Sequence, residues 1–349
     1  QIMIKIKDVE FKKLSEIDDE RLFNFYSTAY PKRNNIIYKN WKWIYRTSLS
    51  GLEPIVAIYN KNIIGHAGLI STNILHNNKI LRGIWFVDFY ILSNFRNMGL
   101  GKVLTQKWMN LEEYHLTFCN QSSLRIFKKL DWVENKNYNK SCKLLNPLKW
   151  LPLIKSLDSK ILDKINFFKY FNHLNLVKEL SLLKVSDNKK ILNDIIKSEN
   201  IDTTNNITDV KILRDENWLN WRIFESPFIN NYHFFLIQNS LMIVSIFKDF
   251  DKKKLNIIYT KYENDFYEML LNKNILKWSI QNNVDIVWLP TNNIKKNIIT
   301  SKFYKKNFEL NFACNSVNML LNKNVLKNIS NLAGIDSDTD ILNKNNNII

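Results

Sequence analysis

Apolar and polar positions along this chain follow two periods, one of strands and one of helices, and their order defines the first half. Residues 1–9 alternate as a strand does, while 16–29 carry apolar residues at helical spacing behind Ser15 as a cap. A short aromatic helix is expected over Tyr38–Arg46. Apolar runs at about 54–59, 62–72, 73–83 and 84–92 then predict an antiparallel meander, with Asn60-Lys61-Asn62 and His76-Asn77-Asn78-Lys79 as turns. Beyond it the pattern reads as a helix (Lys102–Glu113), a short strand (His115–Cys119), a second helix and a strand pair near 131–145.

The second half repeats this order in a worn form. Strands are expected at about 232–238, 241–248 and 254–260, a helix at 264–282, an apolar strand from Val284 to Leu289 and a helix near 292–306. Trp41-x-Trp43 recurs as Trp218-x-x-Trp221, and Ser123 to Lys129 as Ser301-x-x-Tyr304-Lys305-Lys306. From Trp43 to Trp221 is 178 residues and from Phe127 to Tyr304 is 177, and this near-constant offset argues for a tandem duplication. Residues 148–182, rich in Leu, Lys and Phe at helical spacing, read as a helical connector, and the tail from about 322 as a short helix followed by disorder. The expected domains are 1–146, a connector over 147–205, a second copy over 206–322, and a tail over 323–349.

Composition allows this division. At 349 residues, 45% hydrophobic and 13% aromatic, the chain can bury two cores. No run approaches the roughly 18 apolar residues of a membrane span, and the N-terminus lacks a signal pattern, so a cytoplasmic protein is expected. Cys119, Cys142 and Cys314 are too few and too scattered for a disulfide framework or a metal site, and read as free thiols. The net charge of +17 suits an anionic partner. Lysine and asparagine are spread along the whole chain, however, which speaks for biased composition rather than a nucleic-acid surface. A pseudo-dimer made by duplication would be a monomer or a weak dimer.

The most informative stretch is Trp85 to Lys102, an apolar strand that runs into a basic loop holding two of only seven glycines. Successive backbone N–H groups at a helix start, freed of side-chain bulk by Gly99 and Gly101, form an anion site that the helix dipole reinforces. Arg96 and Lys102 add positive charge at its rim. Carried forward by 178 residues, the loop falls on Asn274–Ser279, where no glycine remains, so the second copy is expected to bind no such anion.

From Arg96 to Gly101 the chain reads Arg-x-x-Gly-x-Gly. At a fitting distance follow Asn120, Ser123 and Ile126-Phe127-Lys128-Lys129-Leu130-Asp131-Trp132. Together these resemble the two signatures of the GNAT acyltransferase superfamily. The resemblance implies an α/β (α+β) protein of two tandem GNAT-like domains, each a mixed, mainly antiparallel sheet flanked by helices. It also implies acetyl-CoA as co-substrate, its pyrophosphate on Arg96, Asn97, Met98, Gly99, Leu100, Gly101 and Lys102. The pantetheine arm would pair with the strand edge at Ile91 and Ser93, with Asn120 as its hydrogen-bond partner and Ser123 and Phe127 at the thiol end. Asn120 also suits a helix N-cap.

Acyl transfer to an amine needs the amine neutral, and the departing thiolate needs a proton. Relatives often place a tyrosine where this chain has Phe127, which has no proton to give, leaving that task to water or Tyr90. Asp88, a carboxylate in an apolar strand, and His115, at the start of the next strand, are the candidate bases. The alternatives are an Asp88 satisfied by Arg82 or Arg96 and a solvated His115. His66 and the Trp41–Tyr45 cluster read as packing, as do Trp218, Trp221, Arg222 and Tyr232. By resemblance the acceptor is the primary amine of a small molecule, an amino sugar or nucleotide-linked sugar, on a site shaped in part by the second copy. Other readings are an aminoacyl-tRNA-dependent transferase, whose tandem relatives usually lack the glycine loop, and a non-catalytic acyl-CoA-binding module.

Overall fold

Two short turns, each needing left-handed backbone, set up the first sheet. Asn60 (φ 48°) and Lys61 (φ 65°) reverse the chain between β2 (Ile55–Tyr59) and β3 (Asn62–His76), and Asn77 (φ 49°) does so before β4 (Lys79–Ile91). Positive φ at both central residues is what the twist of a tight hairpin requires. The four runs expected between 54 and 92 are therefore three strands. Ser71, Thr72 and Asn73 look like a break in the apolar pattern, yet β3 continues through them, because Asn73–His76 gain a second partner in β9 (Val210–Leu213).

The computed structural model describes residues 5–31, 33–45, 50–77, 79–135, 138–146, 181–183, 189–201, 210–249, 252–292, 305–308, 311–316, 323–326, 329 and 332–333. They fall into two compact units. One comprises 1–135, 206–213 and 311–330, the other 136–205, 214–310 and 331–349. Most of the expected connector, the expected Ser301–Tyr304 landmark and most of the tail lie outside the described residues.

In the first unit the strands run β1-β2-β3-β4-β5-β15-β6, where β1 is Glu10–Lys13, β5 Tyr114–Cys119, β6 Val133–Asn135 and β15 Asn311–Ser316. The first strand lies later than the expected 1–9. On one face pack α3 (Leu100–Met109) and α4 (Gln121–Lys129), which bury Leu104, Trp108, Leu124 and Phe127 against Ile84 and Phe86. The other face carries α1 (Asp19–Ala29) and α2 (Asn34–Ile44), whose Tyr26 and flanking Tyr45 meet His66 of β3. Asp18, rather than Ser15, caps α1: its carboxylate accepts from the Arg21 amide at 2.9 Å.

In the second unit the order is β14-β7-β13-β12-β11-β10-β8, where β14 is Lys305–Phe308, β7 Tyr138–Leu144 and β8 Ser181–Leu183. The strands β10 (Tyr232–Ile237), β11 (Ser240–Asp249) and β12 (Lys252–Lys261) are antiparallel, and β13 (Ile286–Asn292) joins β12 in parallel. The 17-residue helix α5 (Asp265–Gln281) buries Leu271 and Ile275 against Val244, Leu255 and Val287. Trp218 and Trp221, on the turns preceding β10, are buried as expected, and so are Arg222 and Tyr232.

The last strands depart from the contiguous domains expected from sequence. β7 (Tyr138–Leu144) lies between β13 and β14 (Lys305–Phe308) in the second sheet, while β15 lies between β5 and β6 in the first. Where a helix was expected near 292–306, Lys305 and Lys306 are strand residues paired with Cys142 and Ser141. An 1–146 fragment would leave the β5 edge bare and β6 without a partner, conditions that favour aggregation. Expressed alone, residues 1–146 should form soluble aggregates or inclusion bodies, whereas the full chain runs as a discrete species on size-exclusion chromatography. A monodisperse, cooperatively melting fragment would contradict the exchange of strands.

Candidate functional site

Parallel strands β4 and β5 pair at three positions only, Gly83 with Tyr114, Ile84 with His115 and Trp85 with Leu116. Past Trp85 the ladder stops, although β4 runs on to Ile91 and β5 to Cys119, so the strands part. Thr117 marks the fork: its hydroxyl donates to the Phe86 carbonyl at 2.9 Å. A strand edge left open in this way offers backbone groups to an extended ligand.

The loop at the far end of β4 has the form expected of an anion site. Asn97 (φ 63°) and Gly99 (φ 80°) take left-handed backbone, and Gly99 stands at the N-cap of α3 with no side chain capping the helix. The first helical amide to be used is that of Lys102, which donates to the Gly99 carbonyl at 3.1 Å. The amides of Leu100 and Gly101 precede it, at the positive end of the helix dipole. Gly101 has no fold-related reason to be glycine: a Cβ there would meet only the Phe89 ring, at an ordinary 3.7 Å. Met98 and Leu100, with Ile6, Val9, Ile64 and Phe95, line an apolar hollow beside the loop.

Arg96 is exposed beside the loop. Its Nε donates to the Ile91 carbonyl at 2.8 Å and its guanidinium lies 5.1 Å over the Tyr90 ring, which closes the end of β4. Lys102 and Ser93 are exposed, and Ile91 is buried and paired with Gly65. Asn120 caps α4, its Oδ1 accepting from the Ser123 amide at 2.9 Å, so its Nδ2 is the part that can serve a ligand. Phe127 is packed between Phe86 (5.3 Å) and Trp132 (4.6 Å).

Of the two candidate bases, Asp88 is engaged through both carboxylate oxygens and His115 is buried and bonded through Nε2. His115 is fully buried beside Trp108 and Trp132, rather than solvated, and its Nε2 lies 2.8 Å from the Met109 carbonyl and 2.7 Å from that of Glu112. Both partners are acceptors, so Nε2 is the protonated nitrogen. Asp88 has neither Arg82 nor Arg96 as partner; Arg82 pairs with Glu112. The Asp88 carboxylate instead receives Arg33 Nη1 at 2.8 Å and the Tyr45 hydroxyl at 3.0 Å, and its side chain is only 2% exposed. Sequence reasoning missed Arg33, which has no motif and lies far from Asp88 along the chain. His66, buried as expected, lies with Nδ1 2.7 Å from the Asp88 carbonyl, which makes Nδ1 the donor, and with Nε2 3.4 Å from the Tyr26 hydroxyl.

In the second unit β12 and β13 also pair at three positions before parting. The loop's counterpart there is the start of α5, not Asn274–Ser279, which lies inside that helix. Since α5 has 17 residues where α3 has 10, no constant offset could have located it. Asn264 caps α5, its Oδ1 accepting from the amides of Phe266 and Tyr267, both at 3.1 Å. Glu263, Asp265 and Glu268 surround that end, and burial together with the Asp265 charge raises the Glu268 pKa.

No protein-family model matches the sequence. No curated protein matches it significantly. Comparison of folds does find neighbours. A GCN5-related N-acetyltransferase from Anabaena variabilis superposes with TM-score 0.59 at 12% identity, covering 89% of this chain and 73% of that one. Saccharomyces cerevisiae N-myristoyltransferase, with bound myristoyl-CoA and inhibitors, gives 0.58 at 11% identity over 89% and 81%. A putative acetyltransferase from Pyrococcus horikoshii gives 0.55 at 10% identity over 91% and 93%. The chain thus has the GNAT fold. Among the described residues no helix is long and apolar enough to cross a membrane.

Burial holds the pKa of both His66 and His115 below the ordinary histidine value. With the folded value below the unfolded one, the contribution to stability is full above about pH 6.5 and is lost as pH falls toward the folded value, because the unfolded chain takes up protons first. The melting temperature should therefore fall between about pH 7.5 and 5.5. His66→Asn, which keeps a donor to the Asp88 carbonyl, should make that fall shallower in a thermal-shift series; an unchanged slope would contradict the assignment.

Proposed function

We propose that this chain is an acyl-CoA-dependent N-acyltransferase that moves an acetyl group to the primary amine of a small molecule. One observation carries the reading: an uncapped, glycine-lined helix start lies at the end of a strand whose edge is open from Phe86 onward. Such a pair suits a pyrophosphate joined to an extended amide-bearing arm. The amine lone pair attacks the thioester carbonyl, the oxyanion takes hydrogen bonds from backbone N–H groups on the open β4 edge, and the C–S bond breaks to release CoA thiolate. With the Asp88 carboxylate engaged and His115 fully buried, the ammonium proton leaves through water. Tyr90, half-buried on β4, is the hydroxyl we assign to protonate the thiolate.

Aromatic walls near the fork favour a short acyl group. Trp85 stacks on Phe118 at 5.1 Å on one face of the strands, and Phe86 meets Phe89 (5.2 Å) and Phe127 on the other. An amino sugar or nucleotide-linked sugar is the acceptor the resemblance suggests, and the +17 charge suits a nucleotide-linked one. Phe127, in place of a proton-donating tyrosine, favours one second reading, a binding module that holds acyl-CoA without turnover. The glycine loop speaks against an aminoacyl-tRNA donor.

Calorimetric titration should show acetyl-CoA binding, with affinity reduced at least about tenfold by Gly101→Ala, while the melting temperature stays within a few degrees, since no packing is lost. Myristoyl-CoA should bind at least about tenfold more weakly than acetyl-CoA. Thiol release with a panel of amino sugars and other amines should then exceed the amine-free rate. Absence of heat would overturn the reading, and heat without amine-dependent thiol release would leave the binding module.

A further inference from the structure

We infer that Asp88 is a positioning residue, which holds the bulge on the open β4 edge and takes no proton from the substrate. The inference rests on the acyl-transfer reading of that edge. Between the pairs Gly68–Val87 and His66–Tyr90, β3 has one residue and β4 has two, Asp88 and Phe89, so β4 is bulged there. Asp88 takes φ 46°, a left-handed conformation that an aspartate adopts only at some cost. A strained residue in mid-strand persists only where its surroundings hold it.

Four hydrogen bonds from four places do so. The Tyr30 hydroxyl, at the end of α1, donates to the Asp88 carbonyl at 2.5 Å, and His66 Nδ1, on β3, at 2.7 Å. Arg33, at the start of α2, and Tyr45, at its end, bind the carboxylate. The Asp88 carbonyl is thereby turned out of the ladder toward the α1–α2 face. Gly68 fits the same design: a Cβ there would come within 2.7 Å of the Val87 carbonyl and 2.9 Å of the Tyr45 ring, so only glycine lets the bulge and Tyr45 close on β3. Both carboxylate oxygens already accept a hydrogen bond, and the side chain is only 2% exposed.

The test uses glycine, which adopts the left-handed region without a carboxylate. Asp88→Ala removes the clamp and cannot easily hold φ 46°. The double variant Asp88→Gly with Arg33→Met removes the charge pair as a unit, so no buried guanidinium is stranded, while the backbone keeps its freedom to bulge. In the full chain, Asp88→Ala should lose hydrogen-exchange protection over residues 86–92. It should also lower kcat at least about tenfold for the best amine found with acetyl-CoA, with KM for acetyl-CoA within about twofold. The double variant should recover the protection and bring kcat to within about threefold of the parent. If Asp88→Ala fails to fold, recovery of folding in the double variant supports the clamp.

A double variant with restored protection but turnover as low as that of Asp88→Ala would show that the carboxylate itself does chemistry, and would overturn the proposal. So would full protection of 86–92 in Asp88→Ala. If the parent shows no acetyl-CoA heat, the acyl-transfer reading fails by itself; loss and recovery of exchange protection would still sustain the clamp, and their absence would sink it.

Discussion

A parallel strand pair that ends after three residues leaves backbone polar groups to be satisfied by something other than the sheet. Much of the first unit can be read as the answer to that demand. Beyond the fork, side chains supply donors to three β4 carbonyls: Thr117 to Phe86, Tyr30 and His66 to Asp88, Arg96 to Ile91. All of these partners are donors and all meet carbonyls. The edge is thus biased toward presenting N–H groups, which suits a ligand rich in acceptors such as the amide carbonyls of a pantetheine arm or a developing oxyanion. The α1–α2 hairpin owes its position to the same demand, since its ends deliver Tyr30, Arg33 and Tyr45 to one residue.

What could be read from the sequence was local. The glycine loop, the helix after it and the Asn120 cap each rest on a few consecutive residues whose backbone needs are fixed by chemistry; all three are present, although the helix starts at Leu100 and ends at Met109, four residues short of the expected Glu113. The first-half elements were legible for the same reason, with errors where polar residues interrupted a strand that a distant partner sustained, as β9 sustains β3.

The rest depends on pairings between residues far apart in sequence. Arg33 finds Asp88 only because the α1–α2 hairpin folds onto the bulge, and no spacing rule announces an arginine at the start of a helix as the partner of a strand carboxylate. His115 looked accessible at a helix-to-strand junction, but Trp108 and Trp132 enclose it. The placement of β7 and β15 in sheets other than those of their sequence neighbours was equally hidden, since an alternating strand pattern says that a strand exists and nothing about which edge it joins.

The two units show how little of a binding site resides in topology. Both carry a parallel pair that parts after three residues, and both follow the parting strand with a helix. At α3 the helix start is a bare glycine in left-handed backbone, with a lysine close behind it. At α5 an asparagine oxygen already occupies the two amides an anion would use, and three acidic residues add their charge to that end. The dipole of each helix is worth at most about 2 kcal/mol to a nearby charge, so side chains of the first turn can cancel it. A sheet that has the strands and the fork can therefore lack an anion site through a handful of surface residues that cost the fold almost nothing. The fold offers the place, and the residues of one turn decide whether a diphosphate can take it.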